Sequence, residues 1–230
     1  MSISRVRTDL NHHNQELLHD QVQRQSRILH RPAAHLAGVA QCAVDDGAGV
    51  GRAARPVLAR RVGRCVVNLT EHFTLEELVV SELALRNSID NSPGPDVIEN
   101  LKMLASALEQ VRTLLDQPIQ IQSGYRCEAL ERILTDKAYK AWCAKRGKAA
   151  NNGSWKEYFS TKAHPKGFSA DFTVPAFGPA IEVCKRIRDS DIRYDQLIYE
   201  FRSWCHLSVD LALRMEVLTI DGEGARAGLA

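Results

Sequence analysis

From residue 73 onward the hydrophobic positions keep helical spacing. Thr74 followed by Glu77 is a capping-box pair ahead of Leu75, Leu78, Val79 and Leu83, which predicts a helix. A Pro/Gly/Asn-rich loop over 87–95 separates it from a longer one. There Asp96 and Glu99 open a run in which Val97, Leu101, Leu104, Leu108, Val111 and Leu115 recur at spacings of three and four. These helices have a packing face and no chemistry. Residues 118–122 form a short β run, with Ile119 and Ile121 on one face and the glutamines on the other. It delivers Ser123-Gly124-Tyr125-Arg126 into a turn. Residues 127–159 are helix-prone and strongly charged, with Trp142, Trp155 and a break at Asn151-Asn152-Gly153. After them the period falls to two, over 167–174, 194–201, 204–209 and 214–220, with a helix over 179–188 behind the first of these strands. Helices first and a small, mostly antiparallel sheet afterwards predict an α+β domain with its N-terminal helices packed on the sheet.

Composition changes this picture at one place. Overall, 44% hydrophobic and 25% charged residues and a net charge of +2 are ordinary for a globular chain and name no partner. No apolar run approaches the roughly 18 residues of a membrane span. The N-terminus has arginines without an apolar stretch behind them, so no signal peptide is read and synthesis in the cytoplasm is expected. The six cysteines include no C-x-x-C pair and read as reduced, mostly buried thiols. Residues 1–67, however, hold ten Arg, no Lys and five acids, whereas 68–230 hold 20 basic and 23 acidic residues. The first segment could be a basic arm for nucleic acid or an anionic surface, or a small helical appendage over 15–29. The reading preferred is a poorly ordered basic extension, translated from a start placed too early, with residues 68–230 as the domain.

The domain has three histidines, His72, His164 and His206. In His164-Pro165-Lys166-Gly167-Phe168-Ser169-Ala170-Asp171 a turn stands between an imidazole and a carboxylate, and a chain reversal there brings both to one point. In Trp204-Cys205-His206-Leu207-Ser208, alternation puts Trp204, His206 and Ser208 on one face. If 201–203 is a three-residue turn, Glu200 pairs with Trp204 and Ile198 with His206, so Glu200 and His206 are diagonal neighbours. Two His, one carboxylate and an open position are what catalytic zinc asks for. The nearby Glu200 is offset suitably to serve as the general base.

These motifs, Ser-Gly-Tyr-Arg at 123–126, His-x-x-Gly-x-Ser-x-Asp at 164–171 and Glu-x-x-x-Trp-x-His at 200–206, resemble those of the zinc D-Ala-D-Ala carboxypeptidases and dipeptidases and related phage endolysin peptidases. The resemblance runs from near Asn68 to the end of the chain. It implies a metallopeptidase acting on peptidoglycan or its stem peptides, with Zn2+ on His164, Asp171 and His206. It also implies Glu200 as catalytic base, Arg126 as a catalytic cationic group near the substrate carboxylate or carbonyl, and Ser123, Tyr125 and Trp204 as substrate-binding residues. The chain departs from the pattern in places. Best-known members carry the base three residues before the last His, where this chain has Ser203; the six-residue offset of Glu200 is similar to that of the hedgehog signalling domain. Lys162 and Cys127 stand where serines are common, and residues of about 132–158 read as an insertion over the site.

Competing readings remain for single residues. Glu200 could instead pair with Arg202 or Arg214, and Arg126 with an acid under the sheet. Asp195 is a rival carboxylate, but alternation sends it to the opposite face from Glu200. By the same rule Cys205 is a core residue and not a nucleophile. His72 reads as a packing or capping residue, and the Lys/Trp-rich insertion as a solvated face or a surface for an anionic glycan or nucleic acid. The expectation is a monomeric zinc peptidase cutting either D-Ala-D-Ala or L-Ala-D-Glu bonds, with no nucleic-acid partner. It would reach the cell wall after lysis or phage-assisted release. The alternatives are a non-catalytic zinc-stabilised binding module and a phage structural component.

Overall fold

The computed structural model describes residues 66–230, so the expectations for the first 65 residues lie outside the described residues. Helix α1 (Leu75–Val79) starts at Thr74, whose side chain and Glu77 make the reciprocal capping box. The pattern that ran on to Leu83 is broken: Val80 is extended, and Ser81 caps a separate α2 (Glu82–Arg86) by accepting from the Ala84 N–H. The freed end of α1 is put to use. Leu78 O accepts the Tyr125 N–H at 2.7 Å and Val79 O accepts Asn91 Nδ2 at 2.7 Å, which ties α1 to the loop that carries Arg126.

Helix α3 (Pro95–Leu115) begins with Pro at its first position and buries Leu101, Leu104, Leu108, Val111 and Leu115, the stripe expected from their spacing. Strand β1 (Gln120–Ser123), helices α4 (Glu128–Lys145) and α5 (Asn152–Ser160), strand β2 (Ser169–Thr173) and helix α6 (Ala180–Arg188) follow. The chain closes with β3 (Gln196–Glu200), β4 (Trp204–Ser208), β5 (Glu216–Asp221) and β6 (Gly224–Ala227). The fold is α+β, with six helices and a mixed six-stranded sheet among the described residues, in the order β1-β2-β4-β3-β5-β6. All pairings are antiparallel except β3 with β5. The last strand, β6, has no hydrophobic alternation and gave no signal in the sequence.

Alternation along the strands divides the sheet into two chemistries. Ala170, Phe172, Leu197, Tyr199, Cys205 and Leu207 face α3 and α6 and form the main core with Val183, Cys184 and Ile187. Asp171, Ile198 and His206 point the other way. Cys205 is thus a core residue, its Sγ 2.9 Å from that of Cys184. Helices α4 and α5 form a hairpin with a small core of their own, Tyr139, Cys143, Trp155 and Tyr158. The Asn151 break is the N-cap of α5, its side chain accepting from the Gly153 and Ser154 N–H groups. Residues 132–158 lie within this hairpin. No helix among the described residues is long and apolar enough to cross a membrane.

Candidate metal centre

The first candidate ligand is delivered by a turn. His164 opens a single 3-10 turn (His164–Lys166), and Gly167 ends it at φ 76°. A Cβ at Gly167 would lie 2.8 Å from Val97 O and 2.9 Å from Val97 Cγ1, so only glycine lets the turn rest on α3. Asn100 Nδ2 donates to Lys166 O at 2.8 Å and fixes it there. The chain then enters β2, and the reversal expected from Pro-Lys-Gly sets His164 over Asp171.

Register supplies the rest. Ile198 pairs with His206 and Glu200 with Trp204 beyond a three-residue turn, the β3–β4 register expected from the sequence, and Asp171 pairs with His206 across β2 and β4. A bulge in β1 shifts Ser123 to face Asp171, which aims the Ser-Gly-Tyr-Arg loop at the same point. His164, Asp171 and His206 are all buried, and their candidate ligand atoms lie within 4.8 Å of one another. Asp171 Oδ1 is 2.8 Å from His206 Nδ1 and 3.3 Å from His164 Nε2. Ligands held at about 2.0–2.1 Å in a tetrahedral zinc site stand roughly 3.3 Å apart, so this donor set fits that ion. His164 Nδ1 lies 2.6 Å from Gly124 O. A carbonyl can only accept, so Nδ1 carries a proton and Nε2 is the ring atom turned toward Asp171.

Electrostatics keep the carboxylate charged. Burial opposes ionisation of Asp171, but His164, Arg126 and the two imidazole hydrogen bonds outweigh it and hold the carboxyl well below the usual carboxylate range. Burial and the charge of Arg126 lower the pKa of His164 despite Asp171. In His206 burial acts in the same downward sense, but the hydrogen bond and charge of Asp171, with Glu200, raise it.

Glu200 is half-buried beside this cluster. Burial, then the negative charge of Asp171, raises its pKa; His206 and a hydrogen bond from Trp204 act in the opposite sense. Trp204 Nε1 donates to Glu200 Oε2 at 2.8 Å, so the expected substrate-binding indole is engaged with the carboxylate. Among the described residues Glu200 makes no ion pair with Arg202 or Arg214, and Arg214 instead holds Asp195 at 2.6 Å and Glu216 at 3.2 Å. Arg126 is held on three sides: Nη2 reaches Asp171 Oδ2 at 2.5 Å, Nε donates to Ser123 Oγ at 2.9 Å, and Nη1 lies 3.7 Å from Glu131 Oε2. It therefore pairs with an acid, and that acid is the candidate ligand. Tyr125 packs against the main core and gives its N–H to Leu78 O. His72 sits away from the cluster, with Nδ1 2.9 Å from Glu109 Oε2.

Three supporting residues escaped the sequence reading. Gly124 offers its carbonyl to His164. Asn91 staples the loop, donating to Val79 O and Tyr125 O and accepting the Cys127 N–H at 2.8 Å. Glu131 is 1% exposed with one carboxylate oxygen lacking a hydrogen bond, facing Arg126. An acid in the first turn of a charged helix carries no sign of burial, and only the Gly within Ser-Gly-Tyr-Arg marked its position.

The family model described as Peptidase M15 matches residues 71–135. The match takes in α1 to α3, β1, the Arg126 loop and the start of α4, and ends before His164, Asp171 and His206. No curated protein matches the chain.

Proposed function

From the match of residues 71–135 to the peptidase M15 family model and the cluster at the sheet, we propose that the chain is a zinc-dependent peptidase hydrolysing peptide bonds in bacterial peptidoglycan stem peptides. It would act on either the D-Ala-D-Ala or the L-Ala-D-Glu linkage. The observation that carries this reading is the convergence of His164, Asp171 and His206 with Glu200 beside them on one sheet face. His164, Asp171 and His206 would hold the zinc. Bound there, the ion would supply an acidified water near neutral pH and a polarised scissile carbonyl.

The rest of the work falls to the chain. Glu200 takes the proton of the attacking water on its carboxylate and hands it to the leaving amine. Its upward-shifted pKa brings the carboxyl nearer to working pH, which favours transfer in both directions. Trp204 holds Oε2 and so fixes the carboxylate plane, and its ring lies 5.6 Å from that of Phe201 beside the site. Arg126 keeps Asp171 ionised and oriented and adds positive charge near the substrate carbonyl or carboxylate, with Ser123 accepting from its Nε.

Glu200→Ala tests the assignment. The variant is expected to keep its zinc and lose hydrolysis of purified peptidoglycan; retained turnover would refute the role of Glu200. Zinc binding in the wild-type chain without any hydrolysis would instead favour a zinc-stabilised binding module.

A further inference from the structure

The chemistry above leaves the α4/α5 hairpin unused, although both its ends are tied to the site. Helix α4 begins two residues after Arg126, and α5 ends four residues before His164. Residues 128–162 carry eight basic and four acidic side chains, net +4, while the remainder of 68–230 carries 12 basic and 19 acidic, net −7. The hairpin is a cationic body on an anionic domain.

Its acids are all engaged. Glu128 accepts from Trp155 Nε1, Glu131 faces Arg126, Asp136 holds Lys140, and Glu157 holds Lys148. Four of its eight cations gather on one aromatic cluster. Arg132 lies 4.9 Å over Trp155, Arg146 4.4 Å and Lys148 5.5 Å over Trp142, and Lys162 4.0 Å over Tyr158. Those rings touch one another, with Trp142–Tyr158 centroids 5.6 Å apart and Trp155–Tyr158 5.8 Å. Stacking holds these charged heads over the rings; Arg132 Nη2 also donates to Asn152 Oδ1 at 3.3 Å, and Lys148 is paired with Glu157. Among the described residues, no carboxylate lies within ion-pair distance of Arg132, Arg146 or Lys162, and both arginines are exposed.

Three stacked cations without a carboxylate partner, Arg132, Arg146 and Lys162, fit a partner that presents repeated carboxylates. We propose that the α4/α5 hairpin is a second, non-catalytic binding surface for the free carboxylates of peptidoglycan stem peptides. It would hold the wall beside the stem that occupies the metal centre. The choice of polymer rests on the peptidase reading; the cationic surface does not.

The test is co-sedimentation of the full-length chain with purified sacculi, in the Glu200→Ala background so that the polymer stays intact. Arg132→Gln/Arg146→Gln is expected to weaken retention by roughly tenfold and to flatten its salt dependence, as loss of two exposed cations facing an anionic surface should. Arg132→Lys/Arg146→Lys should bind like the parent. Sacculi whose carboxylates have been amidated should be held poorly by the parent itself, a measurement that needs no altered hairpin. With Glu200 intact, the Gln pair should cut a soluble stem peptide at the parental rate. Equal retention of native and amidated sacculi would overturn the proposal, as would unchanged retention of the Gln pair or preferential binding of duplex DNA. Charge-dependent retention in a chain that cuts no soluble peptide would sustain this surface and sink the peptidase reading instead.

Discussion

Gly124→Ala perturbs fold and site through one atom. The added Cβ would sit 2.3 Å from Leu78 O and 3.0 Å from Leu78 C and Cα, all backbone, so no side-chain rotation relieves it. The loop must move away from α1, and Leu78 O is the acceptor of the Tyr125 N–H at 2.7 Å. Loss of that bond costs about 1 kcal/mol. Overpacking against fixed backbone adds about 1–3 kcal/mol, giving a destabilisation of roughly 2–4 kcal/mol. The same movement shifts the Gly124 carbonyl that receives His164 Nδ1 at 2.6 Å. Loss of such an orienting partner typically lowers metal affinity by about 10–100-fold. Urea denaturation of the zinc-free protein reads the first effect, and chelator competition on folded protein reads the second. An alanine variant with parental midpoint and parental zinc affinity would show that the loop is not held as described.

Two further outcomes follow from the charged network. Arg126→Ala removes the partner of Asp171 Oδ2 and should lower zinc affinity by about 10–100-fold, measured by chelator competition; an effect confined to KM would make Arg126 a substrate contact alone. Arg214→Ala leaves Asp195, whose side chain is 4% exposed, without its guanidinium and should cost about 1–3 kcal/mol at neutral pH. The hydrogen bonds from Arg214 depress the Asp195 carboxyl. Its contribution is therefore present above the unfolded value of about 3.9 and lost as pH falls through the folded one. Parent and variant should converge in stability toward acid, and a gap that persists there would contradict the assignment.

Much of this was legible in the chain, because the relevant signals are local. The α3 stripe, the Thr74/Glu77 box and the turn at 165–167 act within one or two turns of backbone. The β3–β4 register followed from a three-residue turn alone, and with it the neighbourhood of Glu200 and His206. The break between α1 and α2 was not legible, because Leu83 continues the hydrophobic spacing, while Ser81 and the distant Tyr125 and Asn91 decide where the helix ends. Strand β6 is held by its pairing to β5 and has no alternation to announce it. The partner of Arg126 was hidden for a related reason. Asp171 was legible as a ligand, but a bulge in β1 decides that Arg126 lies against its second oxygen.

The central claim is that His164, Asp171 and His206 hold a catalytic zinc ion. Elemental analysis of the purified full-length chain, supplied with zinc and then desalted, tests it most directly, with His206→Ala measured alongside. About one zinc per parental chain and a large loss in the variant are predicted. A well-folded parental chain that retains no zinc would contradict the account.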